Sequence, residues 1–312
     1  MIMERPLISV VSPEYRGAGI IPELVRRNIS ALETLTGNFE IILVNDCSPD
    51  DTWNAILAEC ANDRRVKGIN LSRNFGQHYA ISAGLANASG EWVVIMDCDL
   101  QDAPEDIPAL YKKALEGFDV VQARRINKKF GVWKRFTSAL FHRIFDWLSG
   151  CSTDESIGNF CICSRKVIDS INDIQERTRS LESMLRYIGF RTTTIDVEHN
   201  ERAEGQSSYT FSKLMRHASD VIIADTNKPL RLGVGIGLVI AIVSFCLAIY
   251  NVIAKLAGII TLQGYTTTVF SIWFVGGLIL LILGVLGLYI GKIFDQVKGR
   301  QIYIIKDKIN FK

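Results

Sequence analysis

Asp97 and Asp99 stand two residues apart at the end of the apolar run Val93-Val94-Ile95-Met96. On an extended segment that spacing puts both carboxylates on one face, where they can converge on a hard cation. A divalent ion held by few carboxylates and completed by substrate phosphates suits Mg2+ or Mn2+. Taken alone the pair is a weak sign, because aspartate is common wherever a strand turns into a loop. Two further polar clusters follow apolar runs, Ser12-Pro13-Glu14-Tyr15 and Asn45-Asp46-Cys47-Ser48-Pro49-Asp50-Asp51-Thr52. Parallel strands place their carboxyl ends on one side, so Tyr15, Asp46, Asp97 and Asp99 are expected at a shared crevice. There an aspartate suits hydrogen bonds to a ribose or base. Asp50 and Asp51 read equally well as caps of the helix that follows.

These residues need a scaffold that alternates strand and helix, and the hydrophobic pattern supplies one. Short β-branched or apolar runs at 7–11, 40–44, 67–71, 92–96 and 119–123 read as strands. Between them, residues 20–35, 52–61 and 77–88 have apolar positions at helical spacing, and Pro104-Glu105-Asp106 opens another helix. The expected fold is α/β, a doubly wound, mostly parallel sheet.

The rest of the chain has a different solvent in view. Residues 232–254 and 256–291 contain no charged side chain. Each run can cross a hydrocarbon core of about 30 Å as a helix, which predicts a transmembrane hairpin turning near Gly264-Tyr265. Lys213, Arg216, Lys228 and Arg231 precede it, and Lys292, Lys298, Arg300, Lys306 and Lys308 follow it, whereas the connection offers Lys255. The positive-inside rule then puts both termini and the large N-terminal portion in the cytoplasm. Residues 1–6 carry charge and no apolar core of the right length follows, so a secretory signal peptide is not expected. A net charge of +2 over 312 residues does not suggest a nucleic-acid binder. Seven cysteines without a C-x-x-C pair, beside four histidines, read as reduced thiols rather than a zinc site. Cys161 and Cys163 share a strand face and read as packing. Glycines at 233, 235 and 237, and at 276, 277, 284, 287 and 291, make self-association of the spans a possible route to a homo-oligomer.

In order along the chain, Ser9-Val10-Val11-Ser12-Pro13-Glu14-Tyr15, the Asn45 to Thr52 cluster, Asn74-Phe75-Gly76-Gln77 with Ala83-Gly84-Leu85, and Met96 to Glu105 are followed by Arg202, Gly205, Ser207 and Tyr209 and then Pro229-Leu230. This series resembles the family 2 glycosyltransferases, within them the membrane-anchored polyprenyl-phosphate glycosyltransferases, over nearly the whole chain. The resemblance implies a GT-A type, Rossmann-like domain at 1–205, an amphipathic juxtamembrane segment at 206–230, two transmembrane helices at 231–292 and a basic cytoplasmic tail at 293–312. It implies that Pro13, Tyr15 and Asp46 line the base and ribose of a nucleotide-sugar, and that Asp97, Asp99 and Gln101 surround the metal and diphosphate. Arg202, in an Arg-x-x-Gly-x-Ser loop, would close over the donor. Transfer would invert the anomeric carbon, with a polyprenyl phosphate as acceptor.

A phosphate acceptor changes what catalysis requires. With a second pKa of about 6, a phosphate monoester is largely a dianion at neutral pH, so cations that orient it matter more than a strong base. Arg124 and Arg135 are the candidates for this task, beside Arg125, Lys134 and Ser138. From 128 to 148, basic residues interleave with Phe130, Trp133, Phe136, Phe141, Phe145 and Trp147, the pattern of an amphipathic helix at an anionic leaflet or of one packed on its own sheet. Residues 211–223 form a second such stretch. The chain departs from the family where Arg16-Gly17 follows Tyr15 and where Cys161 follows Gly158-Asn159-Phe160. The aspartate that commonly precedes that glycine has Asp154 as its candidate. The leading reading is hexose transfer, glucose from UDP-glucose, to undecaprenyl phosphate in a bacterial inner membrane for envelope glycans such as O-antigen. The alternatives are transfer to another lipid or lipid-linked saccharide, and a non-catalytic nucleotide-sugar-binding scaffold.

Overall fold

The computed structural model describes residues 6–125, 156–177, 179–198, 228–256 and 264–311. Its centre is an eight-stranded sheet with the order β7-β5-β6-β4-β1-β2-β3-β8. The strands are β1 (Ile8–Glu14), β2 (Phe39–Asn45), β3 (Val66–Leu71), β4 (Trp92–Ile95), β5 (Val120–Arg125), β6 (Ile157–Ser164), β7 (Thr192–Val197) and β8 (Ile305–Ile309). The block β3-β2-β1-β4 is parallel throughout, β5 pairs β7 in parallel, and β6 and β8 enter antiparallel. Every residue of β1 and β2 is buried, because helices cover both faces and leave no solvent side to the strands.

One face carries α1 (Ile21–Glu33), α2 (Thr52–Asn62) and α4 (Ile107–Ala114), which pack Leu24, Ile56 and Leu110 on Val10, Ile41 and Val94. The other carries α3 (Gln77–Asn87), α5 (Arg165–Asp173) and α6 (Leu181–Ile188), which pack Ile81, Ile168 and Leu185 against Val11, Ile42 and Ile95. Alternate residues of each strand thus serve opposite cores, as the period of two demands. Helix α1 buries Ile21, Leu24, Val25, Asn28, Ala31 and Leu32, a single stripe at three- and four-residue spacing. Cys161 and Cys163 both lie in the second core, with sulfurs 3.9 Å apart and no disulfide.

The connections place β2 on one side of β1 and β4 on the other, so the order in which strands are added across the sheet reverses at β1 while β1 and β4 stay parallel. Their carboxyl ends therefore open a crevice at a topological switch point.

A C-terminal strand follows the apolar segments. Within 293–312, read from sequence as a basic tail, Ile305–Ile309 pairs with β3 as the sheet's edge. Asn310 fixes it further, donating its amide to Cys60 O and Val66 O at 2.7 Å each. The basic residues Lys306 and Lys308 alternate outward along this edge, which discourages pairing with a further strand.

Two long helices, α7 (Lys228–Leu256) and α8 (Tyr265–Val297), form a separate compact unit and touch each other. Among the described residues, Phe274–Val297 is long and apolar enough to cross a membrane, with a mean hydropathy of 2.5, and α7 contributes the shorter apolar stretch Leu230–Ile240. The amphipathic stretches expected at 128–148 and 211–223 lie outside the described residues.

Gly84 shows how closely α3 must approach the sheet. A Cβ there would lie 2.3 Å from Val11 Cγ1 and 3.2 Å from Val44 Cγ2. Gly84→Ala is expected to destabilise the protein by about 2–3 kcal/mol, the upper range for overpacking, seen as a lowered unfolding midpoint. Gly37→Ala, where nothing lies within 4 Å, is the neutral control. An unchanged midpoint in Gly84→Ala would refute the packing argument.

Candidate functional site

The crevice is built from the ends of β1, β2, β4 and β5. Strand β4 stops at Ile95, and Met96 N–H still reaches Val11 O at 3.1 Å. The chain then turns, with Leu100 at φ 55° and its side chain buried. Asp97 and Asp99 consequently sit in a tight turn rather than on the extended segment expected from their spacing. Asp99 Oδ1 accepts the Gln101 N–H at 3.2 Å, a contact that shapes the turn.

Asp97 is held by two amides. Its Oδ1 accepts from Gln77 Nε2 at 2.7 Å and Asn159 Nδ2 at 3.2 Å. Burial raises its pKa to about 6, the Asn159 bond opposes this, and the charges of Asp102 and Asp99 add to the rise. Among the described residues, Arg125 brings a positive charge to bear on this carboxylate. Its Nη2 and Nε reach Asp102 at 2.9 and 3.2 Å, and the Asp102 side chain is 1% exposed. This fork onto one carboxylate fixes the guanidinium in place.

A cavity of about 250 Å3 opens among Asp97, Gln122, Arg125, Asn159, Leu181 and Glu182. Gly158 also lines it. A Cβ at that position would come within 2.8 Å of Arg125 Nη2, so glycine is what lets the guanidinium lie against β6.

Asp46 is buried and placed differently from a freely exposed ribose ligand. Its two oxygens accept the Phe75 and Gly76 N–H groups at 2.7 and 2.8 Å, anchoring the loop that starts α3 and carries Gln77 toward Asp97. Burial raises its pKa in spite of those two backbone bonds. Pro13 is buried at the end of β1, and the adjacent Tyr15 is 41% exposed with the Arg16 guanidinium over its ring. Arg16 itself adopts φ 57°, and its N–H donates to Ser48 Oγ at 2.8 Å, tying the β1 and β2 loops together. Asp50, not Asp51, caps α2, accepting from Thr52 Oγ1 at 2.6 Å and from its N–H at 3.3 Å.

The structure brings Asp97, Asp99 and Gln101 together in one turn. It places Arg124 elsewhere, on Asp196 of β7 at 2.6 Å with both side chains about half exposed, while Arg125 lines the Asp97 cavity. Adjacent residues on a strand face opposite ways, and strand parity was the signal in the sequence that separates the two arginines. Gln77, Asp102, Gln122 and Asn159 are the other participants that sequence reasoning did not single out, since their convergence depends on β6 inserting between β4 and β5. Asp154, Arg135 and Arg202 lie outside the described residues.

Glu14 departs most from ordinary burial. It is 1% exposed, neither carboxyl oxygen has a well-placed hydrogen-bond partner, and burial, with the Asp97 charge adding to it, pushes its pKa to about 8. The folded protein therefore holds this proton more tightly than the unfolded chain, and stability falls as pH rises from 4.5 toward about 8. Glu14→Gln removes the titration while keeping the shape. Its unfolding midpoint, relative to the parent, is expected to be level below pH 4.5 and to climb up to about pH 8. A difference independent of pH would contradict the assignment.

The model of the glycosyl transferase family 2 matches residues 9–171. An uncharacterized glycosyltransferase of Synechocystis sp. is 33% identical over 301 residues, spanning 96% of this chain and 95% of that protein. The undecaprenyl-phosphate 4-deoxy-4-formamido-L-arabinose transferase of Proteus mirabilis is 35% identical over 309 residues, 98% of this chain and 94% of its own. Among solved structures, glucosyl-3-phosphoglycerate synthase of Mycobacterium tuberculosis, with Mn2+, UDP-glucose and phosphoglyceric acid, superposes with a TM-score of 0.51 at 21% identity, covering 70% of this chain and 78% of that one. That likeness is one of fold, and it matches the mostly parallel GT-A type sheet expected from sequence. The crevice at the β1 and β4 ends, the matched family model and the near full-length relatives lead to one conclusion: the chain belongs to glycosyltransferase family 2 and is a glycosyltransferase.

Proposed function

We propose that the protein transfers one sugar from a nucleotide-sugar to a polyprenyl phosphate, with inversion, at the cytoplasmic face of a bacterial inner membrane. The observation that carries this reading is the gathering of Asp97, Arg125 and Asn159 around one small cavity between the ends of β4, β6 and β5 and helix α6. At about 250 Å3 it is smaller than the roughly 300–1,000 Å3 of pockets that enclose a drug-sized ligand, and it suits one sugar unit rather than a whole nucleotide-sugar. The nucleotide would then lie along the β1 and β2 loops, past Pro13, Tyr15 and Asp46. The Proteus relative, matched along almost the entire chain, is named for transfer involving undecaprenyl phosphate, which supports the acceptor.

The donor set fits a divalent cation. Asp97 and Asp99 offer hard oxygens; burial raises the Asp97 pKa, the charges of Asp102 and Asp99 add to the rise, and a bound cation would favour the ionised carboxylate. Two carboxylates leave most coordination positions of such an ion to phosphates and water. Asp97 and Asp99, with Gln101 beside them, would hold Mg2+ or Mn2+, which when bound would supply counter-charge to a diphosphate leaving group. Crystals of the mycobacterial synthase contain Mn2+ with its nucleotide-sugar, in keeping with this reading.

The chain's own residues do the positioning. Gln77 and Asn159 hold the Asp97 carboxylate in one orientation, and Asp102 holds Arg125 against the cavity. Asn159 and Gln122 offer amides to sugar hydroxyls. The acceptor dianion is itself the nucleophile, so the site needs cations to bring it in line rather than a strong base. Arg135 is assigned to that phosphate together with Arg125, which lines the cavity in place of the Arg124 expected from sequence; Arg202 is assigned to the donor diphosphate and Asp154 to a supporting catalytic role. Glucose carried by UDP remains the donor favoured by the sequence, and the relative's formamido-arabinose defines the second donor to try.

The membrane part of the reading rests on connectivity. Strand β8 pairs with β3 after the chain has passed through α8, so a single crossing would leave β8 on the wrong side of the bilayer. An even number of crossings, α7 and α8 as a hairpin, satisfies the pairing. Lys228 and Arg231 at one end and Lys292, Lys298 and Arg300 at the other agree with outer ends that face the cytoplasm.

Membranes carrying the protein, given radiolabelled nucleotide-sugars and undecaprenyl phosphate, are expected to yield lipid-soluble label that a chelator abolishes. Folded protein that gives none with any donor would overturn the proposal. Asp99→Ala is expected to lower transfer at least about a hundredfold, on the scale of losing one dominant electrostatic contact in a transition state. Full activity in that variant would remove the cation from the assignment.

A further inference from the structure

A second cationic site lies outside the donor crevice. Arg179 is 9% exposed, and its guanidinium closes the carboxyl end of α5, donating from Nη1 to Ile171 O at 3.1 Å and from Nη2 to Ile174 O at 2.5 Å. Its Nε–H is buried without an acceptor. Glu176 acts on it through space, yet no carboxylate forms an ion pair with it among the described residues. A buried cation lacking a counter-charge is strongly unfavourable, and an anion drawn to it relieves that cost.

The surroundings suit such an anion. Arg179 forms part of the wall of a cavity of about 430 Å3, with Ser82, Asn172, Gln301 and Tyr303. The Ser82 hydroxyl donates to His78 O and an Asn172 amide N–H to Leu85 O, which leaves the second amide N–H of Asn172 with Gln301 and Tyr303 as the polar groups of the wall, and among the described residues no acidic side chain lines it. Donors spread around a fixed positive charge match an anion with oxygens on several sides. We propose that this cavity binds an oxyanion of the phosphate class, either free phosphate or a phospholipid headgroup, at a site distinct from the Asp97 crevice.

Occupancy there would join three pieces of chain. Gln301 and Tyr303 follow directly on the long apolar helices in sequence, and Arg179 stands two residues before α6, whose Leu181, Glu182 and Leu185 line the Asp97 cavity. A bound anion holds the segment before β8 to the base of α6, and so stiffens one wall of the sugar cavity.

The test uses the full chain in phosphatidylcholine nanodiscs, with the unfolding midpoint followed against added inorganic phosphate. A parallel arm replaces part of the lipid with phosphatidylglycerol and omits phosphate. The midpoint is expected to rise in one of the arms, which identifies the source as free phosphate or headgroup. Arg179→Met and Ala86→Phe, the latter placing a ring in the cavity from an exposed position on α3, are each expected to raise the required concentration at least about tenfold, the scale of one charge-assisted hydrogen bond. If Arg179→Met does not fold, Ala86→Phe decides the matter, since it removes no hydrogen bond. No shift in either arm, or a shift that survives unchanged in Ala86→Phe, overturns the proposal.

Discussion

Negative charge gathered at the end of a buried strand is the constraint around which this molecule is arranged. Asp97, Asp99 and Asp102 lie within six residues, and Asp102 is almost wholly buried. Left uncompensated, such a group is costly in proportion to its burial. Arg125 offsets one of the three directly, through its fork onto Asp102, while Gln77 and Asn159 satisfy Asp97 by hydrogen bonds without neutralising it. Burial raises the pKa of Asp97, and the charges of Asp102 and Asp99 add to that rise. A site left short of positive charge has affinity for a cation, and in the proposed reaction that affinity is what brings the diphosphate to the turn.

Each compensating group arrives from a different element, which ties the site to the fold. Gln77 opens α3, and that helix start is held by the Asp46 carboxylate on the β2 loop. Asn159 and Gly158 come from β6, the antiparallel strand inserted between β4 and β5. Arg125 ends β5. Close contacts such as Gly84 against Val11 keep α3 at the depth that lets Gln77 reach Asp97. Packing in the two cores and electrostatics at the sheet edge are therefore one problem, and a shift of α3 by a few tenths of an ångström would be felt at the carboxylate.

The two arginines on cavity walls illustrate how context changes a residue's role. Arg125 meets a carboxylate in a bidentate pair and serves as a fixed positive wall. Arg179 meets backbone carbonyls, feels Glu176 only through space, and forms no ion pair among the described residues. The difference lies in whether an acidic side chain was delivered within ion-pair reach.

The early part of the fold was legible because its signals are local. Alternating apolar runs and helical stripes placed β1 to β5 and α1 to α4 within a few residues, since hydrophobic period and turn chemistry act over short stretches of chain. The clusters around Pro13, Asp46 and Asp97 could be assigned to one edge because parallel strands share a direction. The turn at Asp97–Asp99, the choice of Arg125 rather than Arg124 for the cavity, and the strand at Ile305–Ile309 were not legible in that way. They depend on β6 entering the sheet antiparallel, on a positive φ at Leu100, and on an edge of β3 left open for a segment some 230 residues away. By itself the sequence determined an alternating α/β domain, an acidic strand end and a long apolar C-terminal region. Only the tertiary structure decided which polar side chains meet there, because that choice is made by strand order and register between residues far apart in the chain.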